Sequence, residues 1–178
     1  RYGRRQRQMC IRDRDYKEAL RLYTLAANQG KVKAQYNLGV IYYEGRAVPQ
    51  DYEEAVRWYT LAAKQGDAMA QFNLASMYED GHGVSQDDRE AIKFYTLAAR
   101  QGYATAQSNL GLMHYNGQGV LADPVIAHMW FNIAAANGAE SAGANRDIIA
   151  KEMTSEDISK AEAMARACFN SNYEKCGY

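Results

Sequence analysis

Apolar positions along this chain follow helical spacing, broken at regular intervals by glycine. In the segment DYKEALRLYTLAANQG, Ala19, Leu22, Tyr23 and Ala26 fall at i, i+3, i+4 and i+7, which places them on one stripe of a helix. In the next segment, AQYNLGVIYYEGRAVPQ, Ala34, Leu38, Ile41 and Tyr42 form a second stripe. Gly45, Gly81 and Gly117 end that kind of helix and open a short loop whose Val48, Val84 or Val120 tucks inward. Each helix of the first kind starts at an aspartate and ends at a glycine. Asp15, Asp51, Asp87 and Asp123 suit the N-cap, where a carboxylate accepts from free backbone N–H groups. Pro124 suits a first helical turn, and Gly30, Gly66, Gly102 and Gly138 suit C-terminal ends. The paired alanines Ala26-Ala27, Ala62-Ala63, Ala98-Ala99 and Ala134-Ala135 allow close approach between helices.

These segments recur. DYKEALRLYTLAANQG, DYEEAVRWYTLAAKQG, DDREAIKFYTLAARQG and DPVIAHMWFNIAAANG begin 36 residues apart without insertion. The intervening stretches hold the same register, so the unit is a helix pair and the chain an array of them.

The pattern resembles the Sel-1-like repeat, a relative of the tetratricopeptide repeat. Ala34, Leu38, Gly39, Tyr42, Gly45, Val48, Asp51, Ala55, Trp58, Tyr59, Ala62, Ala63 and Gly66 carry the hallmark. Ala47, Ala75 and His114 depart from it, replacing a loop glycine, a helix glycine and a tyrosine. The resemblance implies an all-α, right-handed α-solenoid of antiparallel helix pairs over residues 15–145. It comprises a half repeat at 15–30 and units starting near 31, 67 and 103. Residues 146–178 resemble the closing segment of bacterial members: a degenerate repeat end, a capping helix and a tail. Thr154 or Ser155 caps that helix, with Glu156 and Asp157 in its first turn. A half repeat at the start is expected to leave Leu22, Tyr23 and Leu25 without a partner on one side, which reads as a truncated beginning.

Apolar residues at 47% and charged residues at 24% describe a folded chain and exclude a disordered one. No apolar run is long enough to span a bilayer. The basic opening, RYGRRQRQMCIRDR, lacks the repeat pattern. Reverse-translated, residues 4–13 match the transposase adapter of short-read sequencing libraries, so 1–14 read as a non-native, disordered segment; the alternative is a natural basic arm. Without it six arginines and one aspartate go, and the formal charge of zero becomes about −5, against a nucleic-acid partner. Cys10 goes too, leaving Cys168 and Cys176.

No catalytic constellation stands out, and no enzyme activity, cofactor or metal is expected. Glu18, Glu54 and Glu90 recur as first-turn helix residues, and His82, His114 and His128 occupy unrelated repeat positions without a second ligand at helical spacing. The repeats point to a binding surface instead. With Leu38 taken as buried and about 100° per residue, Lys33, Tyr36, Val40, Tyr43 and Glu44 fall on the opposite face. Their equivalents are Met69, Phe72, Ser76, Glu79 and Asp80, then Thr105, Ser108, Leu112, Tyr115 and Asn116. The resemblance places first helices along a concave groove, so these residues either contact a partner or pack against the neighbouring first helix. Tyr36, Phe72, Tyr43 and Tyr115 are of the type expected as contact anchors.

By resemblance the chain is a non-enzymatic adaptor that holds a protein or peptide segment in that groove. The competing expectation is a cell-envelope or polysaccharide-metabolism accessory that binds a glycan or a glycan-processing enzyme. The pair Cys168 and Cys176 is either two free thiols or, as in exported bacterial members, a disulfide clip. A disulfide favours a periplasmic or secreted location over the cytoplasm.

Overall fold

A computed structural model of the chain describes residues 17–46, 48–174 and 176. The expected N-cap at Asp15, the segment 1–14 and the substitution at Ala47 lie outside the described residues. Helix α1 covers residues 17–28, and α2 to α9 are Val32–Glu44, Tyr52–Lys64, Ala68–Asp80, Asp88–Ala99, Ala104–Asn116, Pro124–Ala136, Glu140–Ile149 and Ser155–Asn170. A single 3-10 turn, Ala150–Glu152, joins α8 to α9. No strand occurs among the described residues.

Sequence-local chemistry sets the helix ends. Asp51, Asp87 and Asp123 each cap their helix, accepting from backbone N–H groups two or three residues on. Thr154, not Ser155, caps α9: its Oγ1 accepts from the Asp157 N–H at 3.1 Å. Gly45, Gly81 and Gly117 take left-handed φ near 70°, where a Cβ would be strained. Each long loop is then pinned to the helix it leaves. Asp51, Asp87 and Asp123 donate their N–H to the carbonyls of Tyr42, Tyr78 and His114 at 2.8–2.9 Å.

The helices pack as consecutive antiparallel pairs, α2 with α3, α4 with α5 and α6 with α7, and each pair stacks on the next. The result is an α-solenoid. Between the members of each pair lies a close aromatic contact. Tyr59, Tyr95 and Phe131 are at most 2% exposed; Tyr59 and Phe131 face Gly39 and Gly111, and Tyr95 shares its core cluster with Ala75. A Cβ on Gly39 would sit 2.5 Å from the Tyr59 ring, and one on Gly111 would sit 2.8 Å from Phe131. Glycine here serves packing, since neither residue has a positive φ.

A polar ladder runs through this apolar interior. Gln35, Gln71 and Gln107 are buried, and each Nε2 donates to the last turn of the preceding helix, to Ala27, Ala63 and Ala99 carbonyls. Their Oε1 atoms accept from Gln65, Gln101 and Asn137 in the following turn, at 2.7–2.8 Å. One buried amide therefore ties three successive helices, with both its nitrogen and its oxygen partnered where an unpaired amide would be costly.

The last pair is covered by α9, which packs on α7 and contributes Ala161, Ala165 and Cys168 to the main core. Cys168 is bonded to Cys176, their Cα atoms 4.6 Å apart. The clipped tail turns back through left-handed Asn172 and Tyr173. There the Tyr173 hydroxyl donates to Asn137 Oδ1 at 3.0 Å and extends the amide ladder into the tail.

In the first described helix, Leu22 and Tyr23 are 52% and 36% exposed, whereas the equivalent Trp58 and Tyr59 are 5% and 2%. Leu25 differs from the expectation. Its equivalents Leu61 and Leu97 are also exposed although their repeats are whole, so this position belongs to the outer surface. It becomes buried only at Ile133, where α9 lies over the core.

Candidate functional site

Helices α2, α4 and α6 are the first members of their pairs and carry the expected binding residues. A cavity of about 320 Å³ lies between α2 and α4, lined by Tyr36, Val40, Tyr43, Glu44, Tyr59, Phe72, Asn73 and Ser76. A second, of about 480 Å³, lies between α6 and α8 and includes Thr105, Ser108, Asn109, Leu112, Glu140 and Asn145. Nine of the fifteen expected face residues therefore line one of these two concavities. Lys33, Met69, Glu79, Asp80, Tyr115 and Asn116 do not.

Half-burial of the groove residues has a packing cause. A first helix touches its own partner and a neighbouring pair, which leaves only a narrow strip free. Tyr36 leans on Tyr59, ring centroids 6.0 Å apart, and Phe72 sits 5.6 Å from Tyr95 and 5.1 Å from Tyr103. Tyr43 packs on Tyr52 at 5.4 Å. Ser108 is buried, at 8% exposure, on the floor of the second cavity. Lys33, Met69, Thr105 and Leu112 are exposed.

One repeat position does three different jobs. Tyr43 lines the first cavity. Glu79, 36 residues on, accepts from the buried Tyr95 hydroxyl at 2.7 Å. Tyr115 donates to Glu152 of the closing turn at 3.1 Å. Glu79 and Tyr115 are thus occupied by the scaffold, and Tyr43 alone keeps its free edge in a concavity.

Sequence reasoning passed over one set. Asn37, Asn73, Asn109 and Asn145 recur every 36 residues, and each lines a cavity. Their strict period was the signal; it was hidden because an asparagine inside an apolar stretch reads as part of the repeat signature. Asn73 lies by the phenols of Tyr36 and Tyr59 and acts to lower the pKa of both. Burial nevertheless raises both phenols above the ordinary tyrosine range, and the acids Glu44 and, at Tyr36, Asp67 push the same way. Tyr43 is raised by burial too, with Asp80 adding to it. The cavity is aromatic, neutral at its floor and acidic at its rim.

Among the described residues, no three His, Cys, Asp or Glu side chains gather to hold a metal ion, and no helix is long and apolar enough to cross a membrane.

A solenoid of 36-residue helix pairs around a repeating, largely apolar interior defines a helical-repeat protein. The chain belongs to the Sel1 repeat family: the family's model matches residues 7–31, 32–67, 68–103 and 104–138. A crystal structure of a Sel1 repeat protein from Oxalobacter formigenes is 37% identical, covering 72% of this chain and 96% of its own, with a TM-score of 0.66. A second relative is c5321, a protective antigen of uropathogenic Escherichia coli displaying an SLR fold. It is 30% identical over 86% of this chain and 42% of its own, with a TM-score of 0.56, so the present chain spans under half of that protein. Helicobacter pylori cysteine-rich protein B shares the fold at 21% identity, covering 74% of this chain and 95% of its own, TM-score 0.60. No curated protein matches. Repeats of this family generally mediate protein–protein interaction, and its members are generally non-catalytic scaffolds.

Proposed function

We propose that the concave face of α2, α4 and α6 holds an extended segment of a protein partner, and that the chain acts as an adaptor without chemistry of its own. The observation that carries this reading is the contrast between interior and groove. Interior positions such as Leu38, Leu74 and Leu110 repeat, while Tyr36, Phe72 and Ser108, or Val40, Ser76 and Leu112, differ in chemistry from repeat to repeat. A scaffold needs the first set constant; recognition of one particular partner needs the second set different. The aromatic residues in the first cavity supply contact area at low entropic cost. The Cys168–Cys176 bridge fits an oxidising compartment, so the periplasmic or secreted fraction is where the partner belongs.

A photo-crosslinking residue placed at position 43, with position 64 on the outer side as control, tests this in an extract of the native host. Adducts from position 43 should map to one contiguous segment of one protein. Adducts from a label at position 76 should map to the same protein and vanish when Tyr43→Ala and Val40→Glu are introduced together. Adducts from position 64 alone would move the binding face to the outer surface. Retention on isolated cell wall, with no protein adduct, would favour the glycan-binding accessory.

A further inference from the structure

The first cavity has a composition that selects one kind of side chain. Its walls are the rings of Tyr36, Tyr43, Tyr59 and Phe72, and one carboxylate, Glu44, stands at its edge. Its floor offers acceptor oxygens from Asn73 and Ser76. Charged groups that act on its three phenols are all acidic: Glu44, Asp67 and Asp80. Aromatic faces carry negative potential and attract a cation laid over them, and a carboxylate at the rim adds direct charge complementarity.

Glu44 already holds a guanidinium. Arg46, from the loop just beyond α2, pairs with it through Nε and reaches Oε1 with Nη2 at 3.2 Å. Arg46 is largely exposed, its side chain 62% accessible, and is not among the residues lining the first cavity; it approaches from the neighbouring concavity, which it lines with Ala19, Tyr23 and Asn37. An ion pair this exposed is weak and easily exchanged. The pair shows that the Glu44 carboxylate is placed to receive a guanidinium.

We propose that this cavity takes a basic side chain, arginine in preference to lysine, from the segment that the groove binds. The guanidinium plane lies against the tyrosine rings, its N–H groups reach Glu44, Asn73 and Ser76, and its methylene stem covers Val40. Arginine is favoured because its flat, weakly hydrated head stacks on rings and presents five donors, whereas an ammonium is compact and strongly hydrated. The proposal rests on the groove reading above and adds the chemistry of its anchor.

The test titrates the full chain, with isotopically labelled amides, against Nα-acetyl-arginine amide, using its citrulline, lysine and leucine counterparts and a chitotetraose as comparisons. Arginine amide should shift the amide signals of Tyr36, Tyr43 and Phe72 in a saturable, salt-sensitive way in the millimolar range. The isosteric but neutral citrulline should bind at least fivefold more weakly. Glu44→Gln should weaken arginine binding about fivefold, whereas Arg46→Ala, which removes the internal competitor, should strengthen it about twofold. Equal response to citrulline or leucine, a preference for chitotetraose, no response at all, or loss of affinity in Arg46→Ala would each overturn the assignment. A crosslink from position 43 to a protein segment lacking arginine and lysine would overturn it as well, while leaving the groove reading intact. Crosslinks confined to position 64 would overturn that reading instead.

Discussion

Replacing Gln71 by methionine removes the middle rung of the amide ladder while keeping the volume of the side chain. Gln71 is 4% exposed, donates to Ala63 O at 3.1 Å and accepts from Gln101 Nε2 at 2.8 Å. Two hydrogen bonds of about 1 kcal/mol net each set the scale at about 2 kcal/mol. Neither partner is orphaned by the change. The Ala63 carbonyl keeps its bond from the Gly66 N–H, and Gln101 lies at the surface where water replaces the lost acceptor. The larger penalty of an unsatisfied buried group therefore does not apply, and methionine regains part of the loss by burying a thioether. The expected destabilisation is about 1–2 kcal/mol. Gln101→Ala leaves the buried Gln71 Oε1 without its donor and should cost about 1–3 kcal/mol, as much as Gln71→Met or more. Because the two residues share that bond, Gln71→Met introduced on the Gln101→Ala background should cost about 1 kcal/mol less than in the parent. Urea unfolding followed by far-UV circular dichroism measures all four chains, through the midpoint at constant slope. Additive losses, or a neutral Gln71→Met, would refute the ladder as a source of stability and leave Gln71 as a spacer.

Two further changes read other parts of the fold. Gly83 has φ +70°, and a Cβ there would lie 2.4 Å from the Tyr52 carbonyl; Gly66 has φ +90° with nothing within 4 Å of such a Cβ. Gly66→Ala should cost only the left-handed backbone term, about 1–2 kcal/mol, and Gly83→Ala distinctly more, because neighbouring backbone must move; equal midpoints in urea would remove the close approach from the account. His114 and His128 are buried and both are shifted below the ordinary histidine range, by desolvation first and, for His128, by Arg146 next. Their folded state favours the neutral ring and the unfolded state binds protons more readily. Stability is then fully present above pH about 6.5 and falls as the pH drops from there toward the folded values, by at most about 1.4 kcal/mol per pH unit for each histidine. His114→Tyr, the residue type at positions 42 and 78, should flatten the thermal-midpoint profile between pH 7.5 and 5, and an unchanged slope would show that His114 titrates freely in the fold.

Much of this molecule was legible in its sequence because the information was local and repeated. Asp51, Asp87 and Asp123 announce helix starts through a bond each makes within its own first turn, and Gly45, Gly81 and Gly117 announce ends through a backbone angle. The period of 36 residues then gives the stacking of pairs without any knowledge of contacts. An angular position about Leu38 selects a face, and Tyr36, Val40, Tyr43, Phe72 and Ser76 of that face line one cavity. That projection treats a helix as having two sides, inside and outside. A first helix in this array packs on the helix before it as well as on its own partner; Ser108 is buried and Glu79 is engaged by Tyr95, facts that no single-helix projection contains.

The sequence by itself determined the helices, their caps, their period and the family to which the chain belongs, because these depend on interactions spanning a few residues or on repetition. Only the tertiary structure decided which side chains remain free. It set Asn73 beside Tyr36 and Tyr59, gave Gln35, Gln71 and Gln107 partners 30 residues away, and brought the Tyr173 hydroxyl to Asn137. Such pairings arise from the angle and offset between packed helices, and small side-chain volumes such as Gly39 against Tyr59 fix that offset. The position of each glycine is written in the chain, but the ring that meets it is known only once the helices are stacked.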